Sequence, residues 1–315
     1  MCIRHTSLLQ RLISGLNEKD LETAAHSSYA FWWYVTTQPN PEQTCESDVQ
    51  ELRFAAAQRE ARRHYVGNHR EYDKALSSLR KAIELRRKYH VDLLRWMGVP
   101  DDQRPPLDES EKERLVLYRR YISDEMDRQM TAVVGLDEAQ RAMILKGSRT
   151  NRDTNIEGYL MTQIYAAERA MALTEVASRG RQERIFVVFD FAGYISQHAP
   201  PTLQLRGALQ DLQALYKERL HQLVILDPPF FLNLIYNIVA PFLDNITREK
   251  IVMVSGPAER LRVVTGSPER KAALSCLLSQ QKEEKGYGVN VKAFLQEISF
   301  HQYYNLATPP LAALS

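Results

Sequence analysis

Residues 223–254, LVILDPPFFLNLIYNIVAPFLDNITREKIVMV, decide the fold, because two short β-branched runs enclose a helical stretch that is apolar nearly all round. From 230 to 240 only Asn233 and Asn237 are strongly polar, and their i, i+4 spacing leaves one narrow wet stripe. Pro241 lacks the donor that would bond back to Asn237, so the helix ends or kinks there. At 1.5 Å per residue the piece spans roughly 16 Å, against about 30 Å for a bilayer core, so it does not cross a membrane. It is either a helix buried in a core or a lid over a greasy cavity.

Working outward, short apolar runs recur at 141–145, 185–189, 223–226 and 251–254, each separated from the next by a helical pattern. Strand, helix, strand units repeated in this way predict parallel strands joined by crossovers. Residues 130–134 supply a candidate edge strand. The first crossover opens with a capping box from Thr154 to Glu157, carries Ile156, Leu160, Ile164 and Met171 on one face, and closes at Gly180. The second starts at Thr202 after two prolines and repeats Leu205, Leu209, Leu212 and Tyr216. The expected class is α/β, with a mainly parallel sheet and flanking helices.

The N-terminal part, to about Gly98, reads as all-α. Tyr72, Leu76, Leu79 and Ile83 line one helix face, while Arg80, Lys81, Glu84, Arg87 and Lys88 lie elsewhere, either solvated or against anionic lipid. The run Phe31, Trp32, Trp33, Tyr34 is read as core filling, with a membrane-interface anchor as the alternative. The proline-rich, acidic stretch 99–113 marks a domain boundary. The expected organisation is 1–45 unassigned, 46–112 a small helical domain, 113–305 the α/β domain and 306–315 a tail.

A net charge of +2, from 41 basic and 39 acidic residues, gives no field to hold nucleic acid. Cys2, Cys45 and Cys276 form neither metal spacing nor a paired framework, so a reducing compartment and no metal are expected. The opening MCIRHTSLLQRLISGL has apolar runs too short for a secretory signal; an amphipathic terminal helix is expected, with a mitochondrial presequence as the alternative. Two strings imitate catalysts. LDPPF at 226–230 matches the Asp-Pro-Pro-aromatic loop of adenine methyltransferases, and DFAG at 190–193 faintly resembles their cofactor loop. The second glycine such a loop needs is absent, with Tyr194 and Ile195 in its place. Asp190 has the place of a phosphatase nucleophile, but the acid expected two residues on is Ala192. No Walker loop or GxGxxG is present, so no enzyme and no cofactor are expected.

The order VVFDFAGYISQHAPP, LQALYKERLHQLVILDPPF and APFLDNITREKIVMV resembles the lipid-binding domain of the CRAL-TRIO family, of the phosphatidylinositol and phosphatidylcholine transfer type. The resemblance extends upstream to YDKALSSLRKAIELRRKYHV and downstream to VNVKAFLQEISFH, covering roughly residues 50–301. It implies a hydrophobic lipid pocket under a gate helix, here residues 230–240, with Phe230, Phe231, Leu234, Ile235 and Ile238 against lipid or membrane. An acyl chain of about 16 methylenes loses roughly 13 kcal/mol of hydrophobic stabilisation on entering water, at about 0.8 kcal/mol each. Moving one helix off a parallel sheet opens a tunnel for it without breaking strand pairing.

The resemblance also implies that Glu218, in a YxERxG-like turn, and Thr247 and Lys250, in a DPxTxxK-like turn, surround an inositol phosphate. Glu218 shortly precedes one strand and Lys250 directly precedes the next parallel one, which puts both at one edge of the sheet. The family's basic residue in its RARKF-like turn falls on Asn68, with Arg70 or His69 as substitutes; its YPER proline is Lys217 and its hinge glycine is His221. The expected function is binding of a phospholipid, phosphatidylinositol first, and its exchange between membranes through transient contact with their surfaces. The expected location is cytoplasmic, peripheral at membranes. The alternatives are a lipid-gated scaffold that holds a ligand without transferring it, with a protein partner at residues 1–45, and a methyltransferase-like enzyme.

Overall fold

The computed structural model describes residues 3–37, 46–98, 104–127, 131–137, 139–147, 155–191, 202–229, 236 and 248–255. Helices α1 (Ile3–Ser14), α2 (Glu18–Ala25), α3 (Tyr29–Thr37), α4 (Glu46–Gly67), α5 (Tyr72–Lys88), α6 (Val91–Arg95) and α7 (Glu109–Asp127) come first. An α/β part follows: β1 (Thr131–Leu136), β2 (Ala142–Gly147), α8 (Ile156–Ala177), β3 (Ile185–Asp190), α9 (Thr202–Leu215), β4 (Leu220–Leu226) and β5 (Ile251–Val254).

The strands form a sheet in the order β1-β2-β3-β4-β5. β1 is the antiparallel edge on β2, and the other three pairings are parallel. This is the mainly parallel α/β sheet that the strand and helix alternation predicts. Helix α8 is capped one residue later than expected. Asn155 Oδ1, rather than Thr154, accepts from the Glu157 and Gly158 amides, since Asn stands where the backbone is still extended. At its far end Gly180, at φ 74°, donates to the Glu175 carbonyl at 2.7 Å, a 6→1 closure that favours glycine.

The two sheet faces differ. Ala142, Ile144 and Ile185 meet Ala166, Ala167, Ala170 and Met171 of α8. On the opposite face, among the described residues, Met143, Leu145, Phe186, Val188, Val224, Leu226 and Val254 form a cluster of strand residues. The period-2 alternation of the strands separates these two sets.

The helical part is continuous with the sheet part through one core, in which Tyr29 and Trp32 of α3 pack with Leu85, Leu94, Tyr118, Ile164 and Leu215. A second cluster joins α1, α2, α4 and α5 through Leu12, Ile13, Leu21, Phe31, Ala57 and Leu79. Phe31 and Trp32, each 1% exposed, fill the core, whereas Trp33 and Tyr34 are half-buried against it. Helix α7 begins at Glu109, inside the acidic stretch read as a linker.

Candidate functional site

Three charged residues stand within two positions of the starts of three adjacent parallel strands. Arg184 precedes β3, Glu218 lies two residues before β4, and Lys250 precedes β5. The Ile185 amide donates to the Arg219 carbonyl at 2.7 Å and the Leu223 amide to the Lys250 carbonyl at 2.9 Å, which locks the three segments side by side. At this edge Lys250 Nζ donates to Glu218 Oε2 at 3.1 Å, and Arg184 Nη2 donates to the same oxygen at 3.1 Å. Glu218 and Lys250 are 8% and 14% exposed, while Arg184 is 46% exposed. One carboxylate is thus shared by two cations, leaving an excess positive charge in a partly desolvated recess.

Local backbone geometry explains the placement. Glu218 sits at φ 58°, so the turn after α9 swings its carboxylate toward β5 while the next residue, Arg219, points back into the helical part. Arg219 Nη2 reaches the Ser27 carbonyl at 3.1 Å. The same division holds one strand away, where Glu183 accepts from Arg59 Nε at 2.7 Å and Arg63 Nη1 at 2.8 Å while Arg184 turns to Glu218. Arg63 is itself paired with buried Glu60. Of each neighbouring pair, one residue anchors the edge to the helical part and the other builds the recess.

The end of α4 closes the recess from the side. A Cβ at Gly67 would lie 2.6 Å from Lys217 Cε and 3.2 Å from Glu218 Cγ, so a larger residue there would push the Lys217 side chain aside and crowd Glu218. The following residues, His69 at φ 54° and Arg70 at φ 65°, are exposed, and the Arg70 amide donates to the Tyr65 carbonyl at 2.8 Å. Asn68 Nδ2 turns back to the His64 carbonyl at 2.7 Å and offers no cation.

The structure therefore brings Glu218 and Lys250 into contact. Thr247 and the lid residues Phe230, Phe231, Leu234, Ile235 and Ile238 lie outside the described residues. Sequence reasoning missed Arg184, Glu183 and Arg219. Arg184 was discoverable by the same count that placed Lys250, since each directly precedes a parallel strand. Among the described residues no cluster of His, Cys, Asp and Glu is arranged to hold a metal, and no helix is long and apolar enough to cross a membrane.

The anchor beneath the recess is acid-sensitive. Burial pushes the Glu183 carboxyl up, but Arg63, Arg219 and Arg59 outweigh it and hold the group down at about 2. Glu60 is likewise driven well below its ordinary value, burial being outweighed by Arg63 and His64. A carboxyl depressed in the folded state contributes stability that is present above its ordinary value near 4.5 and is lost as pH falls toward 2. We expect urea midpoints to fall steadily from pH 4.5 downward, with Glu183 alone accounting for on the order of 3 kcal/mol. Midpoints unchanged between pH 5 and about 3 would contradict this account of the anchor.

With this geometry in place, comparison with known proteins shows what the chain is similar to. The family model described as "CRAL/TRIO domain" matches residues 129–262. The Saccharomyces cerevisiae protein "Phosphatidylinositol transfer protein PDR17" is 30% identical over 148 residues, which are 45% of this chain and 40% of the relative. The match thus spans well under half of that relative's length. The crystal structure of Sfh5 superposes with a TM-score of 0.54 over 96% of each chain at 13% identity, a likeness of fold. The CRAL/TRIO match begins just before β1 and ends shortly after β5, so it covers the whole described sheet and its edge recess.

Proposed function

We propose that the protein binds a phospholipid, phosphatidylinositol in first place, on the apolar sheet face under the stretch 230–240, and exchanges it between membranes. The observation that carries this reading is the sheet itself. One face is covered by α8, and among the described residues the other carries a buried cluster of seven strand residues, Met143 to Val254. An aliphatic face of this kind suits acyl chains, each methylene being worth about 0.8 kcal/mol on transfer from water. The polar recess at the N-terminal edge of the same strands suits a head group carrying phosphate. That a similar protein is named a phosphatidylinositol transfer protein supports the choice of cargo. Chemistry on the lipid has no part in this reading, and membrane contact is transient and peripheral.

Native mass spectrometry and lipid extraction of the purified full chain test it. The expected result is about one phospholipid per chain, enriched in phosphatidylinositol, together with movement of labelled lipid between donor and acceptor vesicles. Protein that carries no lipid and takes up none from vesicles overturns the proposal. A stable lipid load without vesicle exchange assigns the chain instead to the scaffold alternative.

A further inference from the structure

We infer that Arg184 is the second cation of the phosphate recess, replacing from β3 the basic residue whose place in the α4–α5 turn is taken by Asn68. This inference rests on reading the strand edge as a head-group site. Three observations support it. Asn68 spends its side-chain amide on the His64 carbonyl, so that position provides no charge to the recess. Arg184 instead reaches the recess directly, donating through Nη2 to the Glu218 oxygen that Lys250 also holds. Arg184 is 46% exposed and donates to Glu218 through Nη2, leaving the rest of the guanidinium fork toward solvent.

The chemistry selected is a phosphate oxygen. Two cations on one carboxylate are under-neutralised, and a phosphate brought beside Glu218 gains charge-assisted bonds from both. A planar guanidinium reads a phosphodiester with two parallel donors, whereas the Lys250 ammonium acts as a point charge. Exposed Arg70 and His69 are the rival cations, and among the described contacts of Glu218 neither takes part, whereas Arg184 does. The recess therefore takes its second charge from β3 rather than from the α4–α5 turn. The lipid phosphodiester is favoured over a free anion because the apolar sheet cluster continues along the same strands, Phe186, Val188 and Val224 following Arg184 and Glu218.

The test is vesicle transfer of phosphatidylinositol and phosphatidylcholine by the full chain and by Arg184→Gln, Arg184→Lys, Arg70→Gln and Lys250→Ala. The ratio of phosphatidylinositol to phosphatidylcholine transfer is expected to fall about ten-fold in Arg184→Gln and in Lys250→Ala. Arg184→Lys is expected to recover part of the loss, and Arg70→Gln to keep the ratio. A ratio lowered by Lys250→Ala but kept by Arg184→Gln overturns the inference and leaves the head-group reading standing. A ratio lowered by Arg70→Gln and not by Arg184→Gln moves the cation to the turn, with the same consequence. Wild-type protein that transfers neither lipid, or a ratio indifferent to both cations, overturns the reading and the inference together. Titration with inorganic phosphate separates the two sources of the anion: Arg184-dependent binding of free phosphate with an unchanged lipid ratio overturns the assignment to a lipid head group. Equal thermal midpoints of Arg184→Gln and wild type show that a changed ratio is not a folding defect.

Discussion

Replacing Glu168 with alanine is expected to lower the unfolding free energy by about 3–5 kcal/mol. Glu168 is 2% exposed and lies at the centre of the core joining the helical part to α8. Its Oε1 accepts from Arg86 Nη1 at 3.1 Å and from the Tyr216 hydroxyl at 3.0 Å. Its Oε2 accepts from Arg95 Nε at 2.8 Å and pairs with Arg95 Nη2 at 2.6 Å. Burial pushes this carboxyl up, but Arg95 and Arg86 outweigh it, so the group stays ionised and its pKa lies below the ordinary range.

Arg86 and Arg95 are 4% and 1% exposed, so alanine would strand two buried cations. The His26 carbonyl, which accepts from Arg95 Nη1 at 2.7 Å, and half-exposed Asp92 compensate only in part. Glu168→Gln keeps one acceptor and loses the charge, and should fall between wild type and alanine. Urea denaturation followed by circular dichroism measures both. A loss below about 1 kcal/mol for Glu168→Ala would show that Asp92 and water neutralise the arginines without it. The consequence reaches the recess, because Tyr216 begins the turn that carries Glu218. A loosened Tyr216 is expected to blur lipid selectivity before the protein unfolds.

This network also shows where sequence reading stops. The alternation of β-branched runs and helical patterns was legible because strand and helix periods are local. It placed β2, β3, β4 and β5, and it put Glu218 and Lys250 at one edge by counting residues to the next strand. β4 begins three residues earlier than its apolar run suggests, because Leu220 and Gln222 pair with β3 although only half-buried, with His221 at the register shift between them. The ion pairs were not legible. Arg86 and Glu168 are 82 positions apart, and Arg219 and Ser27 are 192 apart, separations that leave no periodic trace. On α5 the charged residues Arg86 and Arg87 look alike in sequence, yet Arg86 is buried against Glu168 and Arg87 reaches Asp20 of α2 at 2.6 Å. Which of two neighbouring arginines faces inward is decided by the helix packed against them, not by the residue itself.

Trp32→Ala is expected to cost about 3–5 kcal/mol of stability, which separates the two readings of the aromatic run at 31–34. Trp32 is 1% exposed, and its ring lies 4.6 Å from Trp96 and 5.2 Å from Tyr29, with the Arg95 guanidinium 5.1 Å from its centroid. Truncation would remove the ring that joins α3 to the turn after α6 and would uncover the cation held by Glu168. Trp33 is half-buried and stacks on Tyr29 at 6.3 Å, so its alanine variant should cost less. A membrane anchor gives the opposite pattern: the unfolding free energy would stay within about 0.5 kcal/mol of wild type while vesicle binding fell. Chemical denaturation and vesicle flotation on the same variants therefore decide between them. The packed position of Trp32 predicts a large loss in the first measurement, with binding of the remaining folded protein retained.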